Sequence, residues 1–404
     1  MELRVFDNLK VADFTWAVAG PIISKYLADF GAKVVHVESK SQPDTLRTSL
    51  PFKDEKQDLE HSGYFPLYNS NKYGMALNLK NPKSIDIAKR LAAWCDVFIE
   101  SYRPGAIERL GLGYENLKQV NPDIIMLSTS MQGQTGPHAL LPGFGNQLVG
   151  LAGFSYITGW PDRDVVQPYG AYTDCIAPYY ALIAIIGAIL SRNKTGKGQF
   201  LDLSQYEAGV HFMSSALLDY EINGREANRE GNVCYYAAPH GVYRCKGEDN
   251  WCAIAVFNDE EWWALCQVMD KKEIAHDPRF ATAVARKNNE HELDKLVAEW
   301  TLNLDREEVM TKLQAAGVPS GILNNNADLF VDPQLNHRHC YWMIEHPELG
   351  SFPHPSPTFN LSDSPAEPLL PSPCIGQHTE FVCKEYLKMQ DEEYIQLLLD
   401  GVFE

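Results

Sequence analysis

A chain of 404 residues with 45% hydrophobic and 22% charged residues has a globular composition and enough length for two or three cores. The formal net charge of -18 argues against nucleic-acid or anionic-membrane partners, because both demand a positive face, so an anionic ligand must be met by a local cationic patch. Nine cysteines without a C-x-x-C pair predict reduced thiols, and the acidic N-terminal stretch MELRVFDNLKVADFTW lacks an export signal, which together predict a cytoplasmic protein.

Alternating periods open the chain. Lys10–Thr15 (KVADFT) and Lys33–Glu38 (KVVHVE) read as strands around a helix from Pro21 to Phe30 ended by Gly31, which makes a βαβ unit. After a polar segment the pattern resumes with a helix over Pro82–Trp94 and strands at Asp96–Ser101 and Asp123–Ser128, so the expected fold is α/β with a mainly parallel sheet. The apolar run Ile176–Leu190 falls short of the ~20 residues that span a bilayer and predicts a fully buried core helix.

From Gly196 a turn, a short strand and a long helix form a connector, and a second lobe begins near Arg225. Strands His240–Cys245 and Trp251–Phe257 flank a GEDN turn there, and a helix starts at Asp259. Asp305 and Glu308 have capping-box spacing ahead of a helix closed by Gly317-Val318-Pro319. Beyond Asp332 the chain is rich in proline and predicts an extended crossing segment, then a last helix over Thr379–Leu387 and an acidic tail. The expected divisions are a large domain over 1–195, a connector helix over 196–225, a small α+β domain over 226–331, and a return segment over 332–404 that completes the large domain.

Few motifs carry chemistry. Gly111-Leu112-Gly113 and Gly143-Phe144-Gly145 do not complete a dinucleotide loop, and His337-Arg338-His339-Cys340 lacks a ligand set at metal spacing, so it reads as a polar surface turn. Asp174, in GAYTDCIAP, lies at the start of the apolar helix. It can cap that helix through a backbone amide, and a carboxylate kept ionised by amides and dipole can also serve as an acyl-transfer nucleophile. The residues alone leave both open.

Several segments, taken in order, resemble one family. VADFTWAVAGP, FGAKVVHVE, YNSNKYGMALNLK, ESYRPGAIERLGLGYENL, PDIIMLSTSMQGQTGP, TGKGQFLDLSQYEA, AAPHGVYRC and GQHTEFV are similar to the class III CoA-transferases, the CaiB/BaiF family, over nearly the whole chain. The resemblance implies a Rossmann-like large domain, an interlocked dimer in which each chain threads the other, and a homodimer or a hetero-oligomer with a homologous subunit. It implies acyl-CoA and carboxylic acid substrates, coenzyme A as co-substrate with no prosthetic group or metal, and Asp174 as the catalytic aspartate. Trp16, Ala19, Leu77, Lys80, Ser101, Tyr102, Ala106 and Arg109 would then line the CoA pocket, with Lys80 and Arg109 facing phosphates.

Similarity to succinyl-CoA-dependent benzylsuccinate CoA-transferase subunits implies a succinyl donor and an aryl- or alkylsuccinate acceptor. Val18, Ser39 and Phe144 depart from formyl-CoA transferase, and its glycine-rich loop is reduced to Tyr235–Gly241, which argues against oxalate or formate. The related α-methylacyl-CoA racemases need a histidine where Phe144 stands, and a phenyl ring cannot shuttle a proton. A CoA-binding subunit without turnover is the remaining alternative.

Overall fold

The computed structural model describes residues 4–404, which divide into two compact units. The first holds the chain through Ile157, Val165–Ala227 and Asn336–Glu404. Its centre is a parallel sheet of β1 (Lys10–Phe14), β2 (Lys33–Glu38), β3 (Lys72–Ala76), β4 (Val97–Glu100), β5 (Ile125–Ser130) and β6 (Phe200–Ser204), in the order β3-β2-β1-β4-β5-β6. Helices α1 (Ala19–Asp29), α2 (Pro82–Trp94), α3 (Ala106–Arg109), α4 (Tyr114–Val120), α5 (Gly145–Leu151), α6 (Tyr172–Thr195), α7 (Gln205–Phe212) and α8 (Ser214–Asn223) complete most of this unit.

Strand alternation builds two cores. Val11, Val34, Ile99, Ile125 and Leu127 pack with Ile23 and Leu27 of α1 and Ala181 and Ile185 of α6. On the other face Ala12, Val35, Phe98 and Met126 pack with Leu91 of α2 and Leu117 of α4. Both faces are therefore buried, as a parallel sheet requires.

Several expectations need correction. The sheet has a strand, β3, inside the segment read as polar, so the strand at Val97–Glu100 is the fourth. Its first residue, Lys72, is buried because its ammonium reaches Asp13 Oδ2 at 3.1 Å and Asn69 Oδ1 at 2.8 Å. The apolar helix is not fully buried. Ala177, Ala181, Ile185 and Ala188 of α6 face the core, while Tyr180, Ile183, Ile186 and Leu190 are exposed. The connector helix breaks at Met213 into α7 and α8.

The proline-rich return segment contains an antiparallel hairpin, Tyr341–His346 with Gly350–Pro355, and the acidic tail forms a helix, Asp391–Leu399. The segment expected as a last helix is one short turn, Thr379–Phe381, followed by a π-turn, Val382–Tyr386. This return is tied to the edge strand: the Gly74 and Ala76 amides donate to His378 Nδ1 at 3.1 Å and Thr379 Oγ1 at 2.9 Å.

The second unit holds Thr158–Asp164 and Asn228–Leu335. An antiparallel sheet of β7 (His240–Arg244), β8 (Trp251–Ala255) and β9 (Ser320–Ile322) packs on α9 (Asp259–Val268), α10 (Glu290–Thr301) and α11 (Arg306–Ala315) around Trp262, Leu265 and Phe280. Asp305 takes the capping position of α11 but its side chain makes no capping bond, and Glu308, expected to reach back to it, pairs forward with Lys312 at 2.7 Å.

Candidate active site

In an open parallel sheet of this order, ligands meet the carboxyl ends of the strands where the chain changes direction, between β1 and β4. The structure joins those two ends directly: the Trp16 amide after β1 donates to Ser101 Oγ after β4 at 3.0 Å. The Trp16 and Tyr102 rings lie 5.6 Å apart across the same point.

The turn that carries Trp16 is held from beneath. Asp13, fully buried in β1, accepts from the Thr15 amide and hydroxyl at 3.1 and 2.5 Å, from Ser24 at 2.6 Å and from Lys72 at 3.1 Å, and its Oδ2 lies 3.2 Å from His36 Nδ1. Burial works to raise its pKa, but Lys72, His36 and the hydrogen bonds overcome this and hold the carboxyl well below the usual range. Ala17 sits at φ 61°, a left-handed conformation that is costly for a residue with a side chain. Both oxygens of Asp44 meet its amide at 3.2 Å. α1 then starts so close to Thr15 that a Cβ on Gly20 would come within 2.2 Å of the threonine Cβ, and only glycine fits there.

Two cavities meet at Trp16. The outer one, about 320 Å³, is walled by Trp16, Leu77, Tyr102 and Leu110 with Lys80 at its edge. The inner one, about 220 Å³, is lined by Trp16, Ala19, Ser101, Thr129, Ser130, Phe144, Gly145, Asp174 and Gln205. Of the residues singled out in the sequence, Leu77, Lys80 and Tyr102 line the outer cavity, Ala19, Ser101 and Asp174 the inner one, and Trp16 both. Ala106 and Arg109 line neither; they sit on α3 just before Leu110, with the Arg109 side chain exposed.

Asp174 lies in the first turn of α6 but does not cap it. Ala171 occupies the capping position, and Asp174 is the third helical residue. The expectation of a carboxylate kept ionised by amides also fails: burial alone acts on the Asp174 carboxyl and pushes its pKa up to about 6. It still ionises near neutral pH, as a poorly solvated anion. Gly145 makes room for it, since a Cβ at that position would stand 2.5 Å from both carboxylate oxygens. Pro178, four residues on, supplies no amide to the Asp174 carbonyl, which loosens the helix start.

Sequence reasoning missed Asp13, Asp44, Gly145, Thr129, Ser130 and Gln205. Gly145 carried a signal, a glycine before the apolar helix, but its meaning depends on a carboxylate 29 positions away in the chain. The others read locally as strand ends and turns.

A six-stranded parallel sheet with a cleft at the β1–β4 crossing, beside the Asp174 carboxylate that burial holds above its usual pKa, defines an α/β protein whose ligand site lies at the carboxyl ends of its strands. Residues 6–379 match CoA-transferase family III, and the chain belongs to that family and is a class III CoA-transferase. It is 33% identical over 405 residues to succinyl-CoA:glutarate CoA-transferase of Homo sapiens, covering 99% of this chain and 90% of that one. It is 31% identical to succinyl-CoA--D-citramalate CoA-transferase of Chloroflexus aurantiacus, over 98% of this chain and 97% of that one. A crystal structure of a CaiB/BaiF family protein from Brucella suis superposes with a TM-score of 0.88 at 31% identity, covering 96% of this chain and all of that one.

Proposed function

We propose that this enzyme moves coenzyme A from succinyl-CoA to a dicarboxylic acid through acyl intermediates on Asp174. The observation that carries the reading is the Asp174 carboxylate itself, raised to about 6 by burial and fitted against Gly145 in a cavity that meets the outer groove at Trp16. A half-buried carboxylate with weakened hydration is a stronger nucleophile than one in solution, and it remains available at neutral pH.

The steps follow from that group. An Asp174 oxygen adds to the thioester carbonyl of succinyl-CoA, the C–S bond breaks, and an aspartyl-succinyl anhydride and CoA thiolate result. The thiolate attacks the aspartyl carbonyl and releases succinate, leaving an aspartyl-CoA thioester. The acceptor carboxylate opens that thioester to a new anhydride, and the thiolate attacks the acceptor's own carbonyl to regenerate Asp174. Each step exchanges one activated carboxyl for another, and no electrons are transferred.

Trp16, Leu77 and Tyr102 would hold the CoA chain, and Lys80 and Arg109 would meet its phosphates as the local cations an acidic protein requires. The class of acceptor includes short acids such as glutarate and citramalate and the aryl- or alkylsuccinates. Incubating the protein with succinyl-CoA and a panel of these acids, and scoring new CoA esters by mass spectrometry, tests the reading. New esters with wild type and none with Asp174→Asn support it. Equal yields from both would reject Asp174, and CoA binding without any ester would favour the non-catalytic alternative.

The proposal extends to assembly as an interlocked dimer or a hetero-oligomer of homologous chains. The exposed apolar face of α6, with Leu217, Leu218 and Ile222 of α8, supports it by offering a surface that a second chain would cover. Sedimentation that finds a folded monomer at low concentration would contradict it.

A further inference from the structure

The backbone of Trp16, the residue that walls both cavities, is gripped on either side by a side chain distant in sequence. Its own amide donates to Ser101 Oγ at 3.0 Å, and the next amide, that of Ala17, meets both oxygens of Asp44 at 3.2 Å. Between those bonds the chain makes a turn it would not make unaided. Ala17 stands at φ 61°, where an alanine Cβ crowds the following carbonyl. A residue strained in this way persists only where its surroundings hold it.

Asp44 is placed to hold. It is fully buried, and its Oδ1 also accepts from the Leu46 amide at 2.8 Å, which caps the short helical turn Thr45–Thr48. Its own amide donates to Glu38 Oε2 at 3.3 Å, and the buried Arg47 clamps Glu38 through bonds of 2.6, 2.9 and 3.1 Å. Arg47 reaches on to the Pro373 carbonyl at 2.8 Å, so the carboxylate that meets Ala17 stands on a fixed support. Asp44 itself lines neither cavity, and the Ala17 amide links it to Trp16.

We propose that Asp44 is a positioning residue for CoA binding: by fixing the left-handed turn at Ala17 it holds the Trp16 ring where the outer groove meets the Asp174 cavity. This rests on the reading that CoA runs against Trp16. When the hold is lost, Ala17 relaxes out of the left-handed region, the peptide after Trp16 turns, and the ring leaves its place between the cavities. CoA then binds only the molecules in which the turn is intact, and its apparent affinity falls by that fraction.

Asp44→Asn separates this role from capping. Asparagine caps about as well as aspartate, but it sets an N–H2 group against the Ala17 N–H in place of the second acceptor. In calorimetry the CoA affinity of Asp44→Asn should fall about tenfold. In the Ala17→Gly protein the same change should weaken CoA less than about threefold, because glycine takes a positive φ without strain and the turn no longer needs the carboxylate. In the Trp16→Ala protein it should weaken CoA no further, because the ring through which Asp44 acts is gone.

Unchanged affinity in Asp44→Asn would reduce Asp44 to a cap and overturn the proposal. An equal loss with and without Ala17→Gly, or a loss that adds in full to that of Trp16→Ala, would overturn it as well. CoA binding untouched by Trp16→Ala would reject the placement of CoA and the proposal with it, whereas a weakened Trp16→Ala protein in which Asp44 acts independently overturns the proposal alone. Should Asp44→Asn not fold, its combination with Ala17→Gly decides. A folded, CoA-binding double variant shows that Asp44 held the turn, and an unfolded one shows that it held the fold and overturns the proposal.

Discussion

Because burial pushes the Asp174 pKa up to about 6, the fraction of free carboxylate changes steeply across mildly acidic pH. The raised value means that the folded protein takes up a proton there before an ordinary aspartate would, and the protonated acid is no nucleophile. kcat/KM for transfer should therefore be flat above about pH 7 and decline through an apparent pKa near 6. A limb near the ordinary aspartate value of about 4 would contradict the desolvated site. Gly145 tests the geometry of the same carboxylate. A Cβ placed 2.5 Å from both its oxygens forces it aside, so Gly145→Ala should lower transfer by about 100-fold with CoA affinity retained. Steady-state kinetics and calorimetry on the variant check both halves. Asp174 itself was legible because its motif stood in a familiar order, but its helix position was not. Ala171 took the capping place, and nothing in the local string separates the first from the third residue of a turn.

Among the elements, β1, β2, β4 and β5 were legible because both sheet faces are buried and their residues form apolar runs. β3 was not, because its first residue is Lys72, whose burial becomes tolerable only when Asp13, 59 positions earlier, pairs with it. The hairpin after Asp332 was hidden by prolines, and the last helix by its acidic residues, which favour a helix start as readily as a solvated tail. The Asp13 network also fixes the turn that carries Trp16. Replacing Lys72 with methionine keeps the volume but leaves Asp13 buried without its ammonium partner. That variant should lose about 3–5 kcal/mol of stability in urea unfolding. A loss below about 1 kcal/mol would mean that His36 and the hydroxyls alone hold Asp13, against the cost expected for an uncompensated buried charge.

On the scale of the whole molecule, a net charge of -18 makes CoA binding depend on a few local cations. Lys80 borders the outer cavity, while Arg109, on α3, lines neither cavity and has an exposed side chain. If its guanidinium swings onto a CoA phosphate, Arg109→Ala should weaken CoA binding by about 1.5–3 kcal/mol, with a loss that shrinks as salt rises. Unchanged affinity by calorimetry would remove Arg109 from the site. The α/β class and the order of the segments were legible across the chain, because the eight strings that carry the resemblance follow one another along it.

The most direct measurement is chemical trapping. Wild-type protein incubated with succinyl-CoA and then hydroxylamine should carry a hydroxamate on the peptide containing Asp174, because both an anhydride and a thioester there react with the amine. The Asp174→Asn protein, which keeps the helix position and loses the nucleophile, should fold, bind CoA and show neither the mass shift nor transfer. A hydroxamate on a different carboxylate, or near-normal turnover by Asp174→Asn, would contradict the account.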